Sequence, residues 1–296
     1  MLPNWYSEYK NLIETSIDTY LENYFSDNTS KVLEELKEIV FYGTRWGKKI
    51  RSILALEFYL SFTNQKLGDI QVSDDIMKFC IALEIVHAFS LIHDDLPCMD
   101  DDTLRRWELT VWKKYWEANA VLAWDLLSAL SFEVTSEISE PVISQKITRL
   151  LSHAVWFYGM VWWQVEDIYF EEHESRLTKE LLEKLHNKKT WALIEASVLW
   201  GILLARKDSQ IENYSDFGKK LGLAFQIKDD LLDEEGTAEE VGKSVWGEQK
   251  WFVHFVWLEP AKQDLKNLIS NCLESIKSLD SEKLNFIVHY VGERRK

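Results

Sequence analysis

The chain contains little glycine and little proline for its length. Only 11 glycines and 4 prolines occur among 296 residues, whereas an average glycine content of about 7% would give roughly 21. Tight turns between strands depend on these two residue types, so a sheet-rich fold has few places to turn. Apolar residues recur at helical spacing instead, as at Leu33, Leu36, Ile39 and Val40. We therefore predict an all-α protein.

Cysteine is also scarce, and long apolar runs are lacking. Cys80, Cys98 and Cys272 are widely spaced and form no Cys-x-x-Cys pair, which predicts free thiols in a reducing cytoplasm. No secretory signal is recognised at the start of the sequence. No run approaches the about 18 apolar residues that a membrane-spanning helix needs. We expect a cytoplasmic protein without stable membrane insertion.

Positive charge is under-represented. The chain has 34 Lys and Arg against 49 Asp and Glu, for a formal net charge of −15. Nucleic-acid binding relies on clustered Lys and Arg, so we expect no nucleic-acid partner. Most of the carboxylates fit a solvated acidic surface. The informative ones lie inside apolar segments, where an unpaired carboxylate is costly.

Two short acidic clusters each follow an apolar helical segment. Arg105 and Arg106 come soon after the first, and arginine presents a fork of donors that matches phosphate oxygens. A single pair of aspartates is typical of a solvated helix end, but two such clusters with nearby arginines favour a binding site. Hard oxygen ligands in this number suit Mg²⁺ and a substrate phosphate. The clusters consist of Asp94, Asp95 and Asp100, and of Asp229, Asp230 and Asp233.

The two clusters resemble the aspartate-rich motifs of the trans-isoprenyl diphosphate synthases, within a resemblance that runs from about Gly43 to Lys262. The segment Gly47 to Arg51 is similar to the early Gly-Lys-Arg-Leu-Arg element of that family, and Lys189-Thr190 to its Lys-Thr pair. This resemblance implies a single all-α domain over residues 1–296, a bundle of roughly ten or more helices around a central cavity. It also implies a homodimer.

The resemblance implies a role for each matching residue. The six aspartates would hold an allylic diphosphate through about three Mg²⁺ ions, and isopentenyl diphosphate would be the second substrate. The allylic carbon–oxygen bond would ionise, the double bond of isopentenyl diphosphate would attack the cation, and a proton would leave. Substrate binding is expected from Lys48, Arg51, His87, Arg105, Arg106 and Lys243. Catalytic dipoles near the cation are expected from Lys189, Thr190 and Gln226.

Product length is expected to depend on the two residues four and five positions before Asp94. These are Ser90 and Phe89, and the phenyl ring would form a floor after two condensations. Leu96-Pro97 inside the first cluster resembles the bacterial members that make the fifteen-carbon farnesyl diphosphate. A longer-chain (geranylgeranyl) synthase remains an alternative, as does a non-catalytic helical subunit that partners an active synthase. A terpene cyclase fits less well, because its later metal motif normally contains Asn, Ser and Glu.

Tryptophan is unusually abundant, with 14 residues against 11 glycines in the chain. Many stand where the resemblance predicts glycine, and an indole at such close approaches would overpack the protein. We hypothesise that they are glycines in the native protein, encoded by UGA. The alternative is genuine divergence with a reshaped or inactive site. The residues concerned are Trp46, Trp107, Trp116, Trp124, Trp162, Trp163, Trp191, Trp246 and Trp257.

Overall fold

The structure is a computed structural model that describes residues 2–26, 30–45, 47–155, 161, 164–166, 168–169, 191–235 and 258–294. Within these ranges nearly all regular structure is helical, and the strands are limited to one short hairpin. The all-α prediction is confirmed. Contacts divide the chain into two compact units, Met1–Thr148 and Arg149–Lys296. A single domain spanning residues 1–296 stays a prediction.

The first unit is a helical bundle. A 3₁₀ turn at Leu67–Asp69 lies between helices α3 (Ile50–Ser61) and α4 (Asp75–Asp94). Helix α7 begins with Pro141, a favourable first position because proline lacks the N–H that would be unpaired there. The helices are α1 (Asn4–Tyr24), α2 (Lys31–Thr44), α3 (Ile50–Ser61), α4 (Asp75–Asp94), α5 (Val111–Tyr115), α6 (Glu117–Ser136) and α7 (Pro141–Val155), which continues into the second unit.

Helix α4 is the core of the first unit. It is apolar around most of its circumference, the pattern of a helix buried on all sides. It packs against α1, α2, α3 and α6, and Phe79, Ile81, Leu83 and Ile85 have no measurable exposure. Four neighbours therefore fix the position of its C-terminal end, which carries Asp94.

A hairpin follows α4 in the first unit. Strands β1 (Leu104–Arg105) and β2 (Glu108–Leu109) are antiparallel, with Leu104 opposite Leu109 and Arg105 opposite Glu108. Arg106 and Trp107 form the two-residue turn, and both have positive φ, 54° and 69°. Two positive φ values identify a type I′ turn, whose twist matches that of the paired strands.

The second unit is built around a long helix. Helices α8 (Trp191–Leu204), α9 (Ile211–Glu235), α10 (Leu258–Ile276) and α11 (Glu282–Glu293) belong to it, and α9 packs against the other three. A Cβ on Gly218 of α9 would lie 2.8 Å from the Cα of Glu195 in α8, so only glycine permits this approach. Ser281 caps the start of helix α11, and its hydroxyl accepts a hydrogen bond from the Leu284 amide at 3.1 Å.

One described helix, Asp75–Asp94, contains an apolar segment long enough to cross a membrane. The sequence analysis did not predict a segment of this kind. The share of this window buried inside the protein is 72%. Such burial is typical of a core helix, which passes the same test of length and composition.

Candidate active site

The loop after α4 folds back onto the end of that helix. The amide of Asp100 donates to the carbonyl of Asp94 at 2.9 Å, and the amide of Asp101 donates to that of Leu96 at 3.1 Å. Asp101 takes a left-handed conformation, with φ 51°, to complete the return. The loop thus brings Asp100, six positions later in sequence, next to Asp94, with the Asp100 side chain exposed.

Asp95 is the buried member of the first cluster, and it is held by Arg105. Its side chain is 5% exposed, and both Nε and Nη2 of Arg105 lie 2.6 Å from its Oδ1. Arg105 also reaches Asp102 at 3.4 Å. Burial raises the pKa of the Asp95 carboxyl to about 6, although Arg105 acts to lower it. This ion pair ties the hairpin to the end of α4.

Arg106 is directed differently from Arg105 by the hairpin turn. It lies against Gly47, where a Cβ would come within 3.2 Å of its Nη1. Gly47 has φ 125°, a conformation that side chains rarely adopt, so glycine provides both the backbone shape and the space. The guanidinium of Arg106 is thereby held beside the loop that carries Lys48.

His87 lies seven residues before Asp94 on α4, about two helical turns, among cationic side chains. Burial lowers the pKa of its imidazole well below 6.5, and the nearby charges of Arg51, Arg106, Lys49 and Arg105 lower it further. The imidazole is therefore neutral at neutral pH. The structure brings the four predicted residues His87, Arg51, Arg105 and Arg106 into one electropositive group, which attracts anions.

Sequence reasoning missed a buried polar network that supports this group. Lys49, which is 3% exposed, lies 3.5 Å from the carboxylate of Glu84 and donates to the Thr44 carbonyl at 2.9 Å. Ser52 donates to Glu84 at 2.7 Å. Lys49 has φ 54°, so the pair fixes an unusual turn before α3 and leaves the half-buried Lys48 beside it. Glu84 could have been noticed as a lone carboxylate inside an apolar run.

The two residues expected to limit product length lie on α4. Phe89 is 4% exposed. Ser90 is partly exposed, and its hydroxyl donates to the carbonyl of His87 at 2.9 Å. Whether the phenyl ring ends a product pocket stays a prediction.

The second cluster lies within α9, in the second unit. Asp230 is 8% exposed and accepts a hydrogen bond from the amide nitrogen of Gln226 at 2.9 Å. Asp229 accepts one from Nη2 of Arg294 at 2.6 Å. Gln226, Asp229 and Asp230 thus lie together, as the sequence predicts for one helical segment.

Arg294 is a further residue that sequence reasoning missed. Besides Asp229, its Nη2 donates to the carbonyl of Phe225 at 3.1 Å, and the guanidinium lies 3.9 Å from the centroid of the Phe225 ring. Its Nε is buried and has no hydrogen-bond partner among the residues that the structure describes. The run Arg294-Arg295-Lys296, basic in an acidic chain, was the signal that could have found it.

Several predicted residues lie outside the part of the chain that the structure describes. Among the site residues these are Lys189, Thr190 and Lys243, together with the side chain of Asp233. Among the tryptophans they are Trp46, Trp162, Trp163, Trp246 and Trp257, with the side chain of Trp191.

Known proteins resemble this chain over nearly its full length. The sequence profile of the family described as Polyprenyl synthetase matches residues 33–288. A farnesyl diphosphate synthase of Micrococcus luteus is 36% identical over 297 residues, covering 98% of this chain and 97% of the relative.

Two solved structures have a similar fold. An apo FPP/GFPP synthase from Zymomonas mobilis has a TM-score of 0.83 and 28% identity, covering 97% of this chain and 98% of that one. A geranyltransferase from Helicobacter pylori, complexed with magnesium and isoprenyl diphosphate, has a TM-score of 0.77 and 29% identity, covering 98% and 97%.

Proposed function

Because the chain belongs to the polyprenyl synthetase family, we propose that it condenses isopentenyl diphosphate with dimethylallyl and then geranyl diphosphate to give farnesyl diphosphate. The observation that carries this proposal is the division of charge in the first unit. Carboxylates end α4 at Asp94 and Asp95, while the cations Arg51 and Arg106 lie nearby, around the neutral imidazole of His87. One diphosphate can bind through metal ions at the carboxylates, and another directly to the cations.

The carboxylates at the end of α4 fit Mg²⁺. Among the residues that the structure describes, no group of three or more Asp, Glu, His or Cys side chains forms a complete metal site. Mg²⁺ does not need one, because it binds through one or two carboxylates together with waters and substrate phosphates. We propose Asp94, Asp95 and Asp100 as the first set of ligands and Asp229, Asp230 and Asp233 as the second, for about three ions in all.

When bound, Mg²⁺ would neutralise the negative charge that develops on the departing allylic diphosphate. The cationic side chains Arg51, Arg106 and Lys48 would orient isopentenyl diphosphate so that its double bond faces the allylic carbon. The neutral imidazole of His87 adds hydrogen bonding without further positive charge. We propose that Lys189, Thr190 and Gln226 place dipoles that stabilise the allylic cation. We propose that Arg105 and Lys243 bind the allylic diphosphate.

We propose a fifteen-carbon product because the ring of Phe89 would limit the length of the growing chain. The position of this buried ring on α4, five residues before Asp94, supports a floor beneath the allylic substrate. The alternative is a longer product, and the Zymomonas mobilis protein with a similar fold is described as an FPP/GFPP synthase. A non-catalytic subunit is disfavoured, because both aspartate clusters are retained in full.

The cellular setting follows from the same proposal. We place the reaction in the cytoplasm, in agreement with three free cysteines, two of them buried. The homodimer also remains a proposal.

The direct test is product analysis. The purified chain would be incubated with Mg²⁺, dimethylallyl diphosphate and labelled isopentenyl diphosphate, and the carbon number of the product measured. We expect a fifteen-carbon product, and a shift to longer products for Phe89→Ala at a similar rate of isopentenyl incorporation. Longer products from the unaltered chain would contradict the floor, and Mg²⁺-independent turnover would contradict the mechanism.

A further inference from the structure

Trp116 occupies a backbone conformation that belongs to glycine. It joins α5 to α6 with φ 80° and ψ 153°. This combination lies in a region that is essentially restricted to glycine, because a Cβ there collides with the backbone. Burial of the indole does not offset this strain, since the residue is 75% exposed. The fold uses the backbone of residue 116 and leaves its side chain in solvent.

Trp107 repeats this pattern in the hairpin turn. Both central residues of a type I′ turn need positive φ, and glycine is strongly favoured at the second. Trp107 is that second residue, with φ 69°, and it is 59% exposed. Trp107 and Trp116 are the two most exposed residues among the large hydrophobic side chains of the described chain.

Other tryptophans have indole rings that are packed or hydrogen-bonded in the fold. Trp112 donates its indole N–H to the carbonyl of Asp102 at 2.8 Å. Trp5 packs its ring against Tyr6 and Tyr9, with centroid distances of 5.7 Å. Trp200 is 3% exposed. None of these three has positive φ. The described tryptophans therefore include some whose indole is packed and some whose backbone requires glycine.

We propose that the native residue at positions 107 and 116 is glycine, encoded by a codon that the source organism reads as glycine. UGA is the candidate, since one variant genetic code translates it as tryptophan and another as glycine. The proposal accounts for the conformations of both residues and for part of the low glycine count, 11 in 296 residues. It does not depend on the proposed reaction.

The same codon is expected at Trp124, which lies close to the site. Its indole contacts the imidazole of His93, with ring centroids 4.7 Å apart. His93 lies beside Asp94, 3.5 Å from its carboxylate. Glycine at position 124 would remove this contact and open space next to the first aspartate cluster.

One proteolytic fragment tests the proposal with an internal control. Trypsin cleavage after Arg106 and Lys113 releases residues 107–113, which contain both Trp107 and Trp112. In protein isolated from the source organism, mass spectrometry is expected to find glycine at 107 and tryptophan at 112. The gene should carry UGA at 107 and 116, and UGG at 5 and 112. A native fragment with two tryptophans, or UGG at 107 and 116, would overturn the proposal.

Thermal unfolding of the chain made with tryptophan tests the backbone argument separately. Trp107→Gly and Trp116→Gly are each expected to raise Tm, by about 2–4 °C or more, because they relieve a strained φ. The matched control Trp112→Gly should lower Tm, since it removes a packed indole and its hydrogen bond. If both glycine variants lower Tm as the control does, the proposal fails, whatever the activity of the enzyme.

Discussion

Asp94 and Asp229 begin two similar aspartate motifs, but the chain holds them by different means. Asp94 ends a helix, and its later partner Asp100 is brought back by a loop hydrogen bond of 2.9 Å. Asp229 lies inside α9, where the positions of its neighbours follow from the helix itself. Similar sequences can thus be positioned by tertiary contacts in one case and by local geometry in the other.

The arginine partners differ in the same way. Arg105 lies ten positions after the buried Asp95, in the adjoining hairpin. Arg294 lies 65 positions after Asp229, whose side chain is 42% exposed. A buried carboxylate depends on its partner far more than one that water can reach. The first cluster should therefore be the more sensitive to change.

The largest effect is expected from removing an aspartate. Asp94→Ala should lower kcat/KM by about 10³-fold or more, since a lost metal ligand removes on the order of 4 kcal/mol of transition-state stabilisation. For Asp229→Ala we expect a loss of kcat/KM that is about tenfold smaller, because Arg294 already neutralises part of the charge of Asp229. Steady-state kinetics at saturating Mg²⁺ would measure both.

Asp216→Ala is the control for these variants. Asp216 lies on the same helix as Asp229, and it is exposed and paired with Lys220 at 2.7 Å. It should leave kcat/KM unchanged. Equal losses at positions 94 and 229 would contradict the difference between the clusters, and full activity of Asp94→Ala would contradict the site itself.

A smaller effect is expected on stability when the arginines are changed. Arg105→Gln leaves the buried Asp95 without its ion pair and should lower the free energy of unfolding by about 2–4 kcal/mol. Arg294→Gln should lower it by about 1–2 kcal/mol, mainly through lost stacking on Phe225, because Asp229 can turn to water. Urea unfolding of the metal-free protein measures both.

Lys220→Gln serves as the matched control for the arginine variants. It breaks an ion pair on the solvent side of α9 and should change stability by less than about 0.5 kcal/mol. A greater loss at Arg294 than at Arg105 would reverse the proposed order of the two clusters.

An effect confined to acidic pH is expected from His87, which lies in the same unit as the first cluster. Its pKa is lowered in the folded state, so the unfolded chain binds more protons below pH 6.5. Stability is therefore lost as pH falls below 6.5, by up to about 1.4 kcal/mol per pH unit. His87→Gln should reduce this slope in urea unfolding between pH 6.5 and 5. An unchanged slope would mean that the imidazole is not held neutral among the cations.

Local patterns were sufficient to predict the fold class and the positions of the clusters. Scarce glycine and proline with helical periodicity predicted the all-α fold, because both act within a few residues. The i, i+4 spacing of Asp229 and Asp233 predicts one face of a helix for the same reason, and this shared face stays a prediction because the side chain of Asp233 lies outside the described residues. The family resemblance then predicted that His87, Arg51 and Arg106 share one diphosphate-binding pocket.

The tertiary structure decided what depends on residues distant in sequence. Packing around α4 buries Asp95 and makes Arg105 its partner, and the end of α11 brings Arg294 to Asp229. The neutrality of His87 follows from its burial and from the cations assembled around it. The sequence by itself determined the helices and the chemistry that they carry, because hydrogen bonds and side-chain periodicity in a helix are local. Only tertiary packing decided which charges meet, because burial and ion pairing depend on contacts between separate helices.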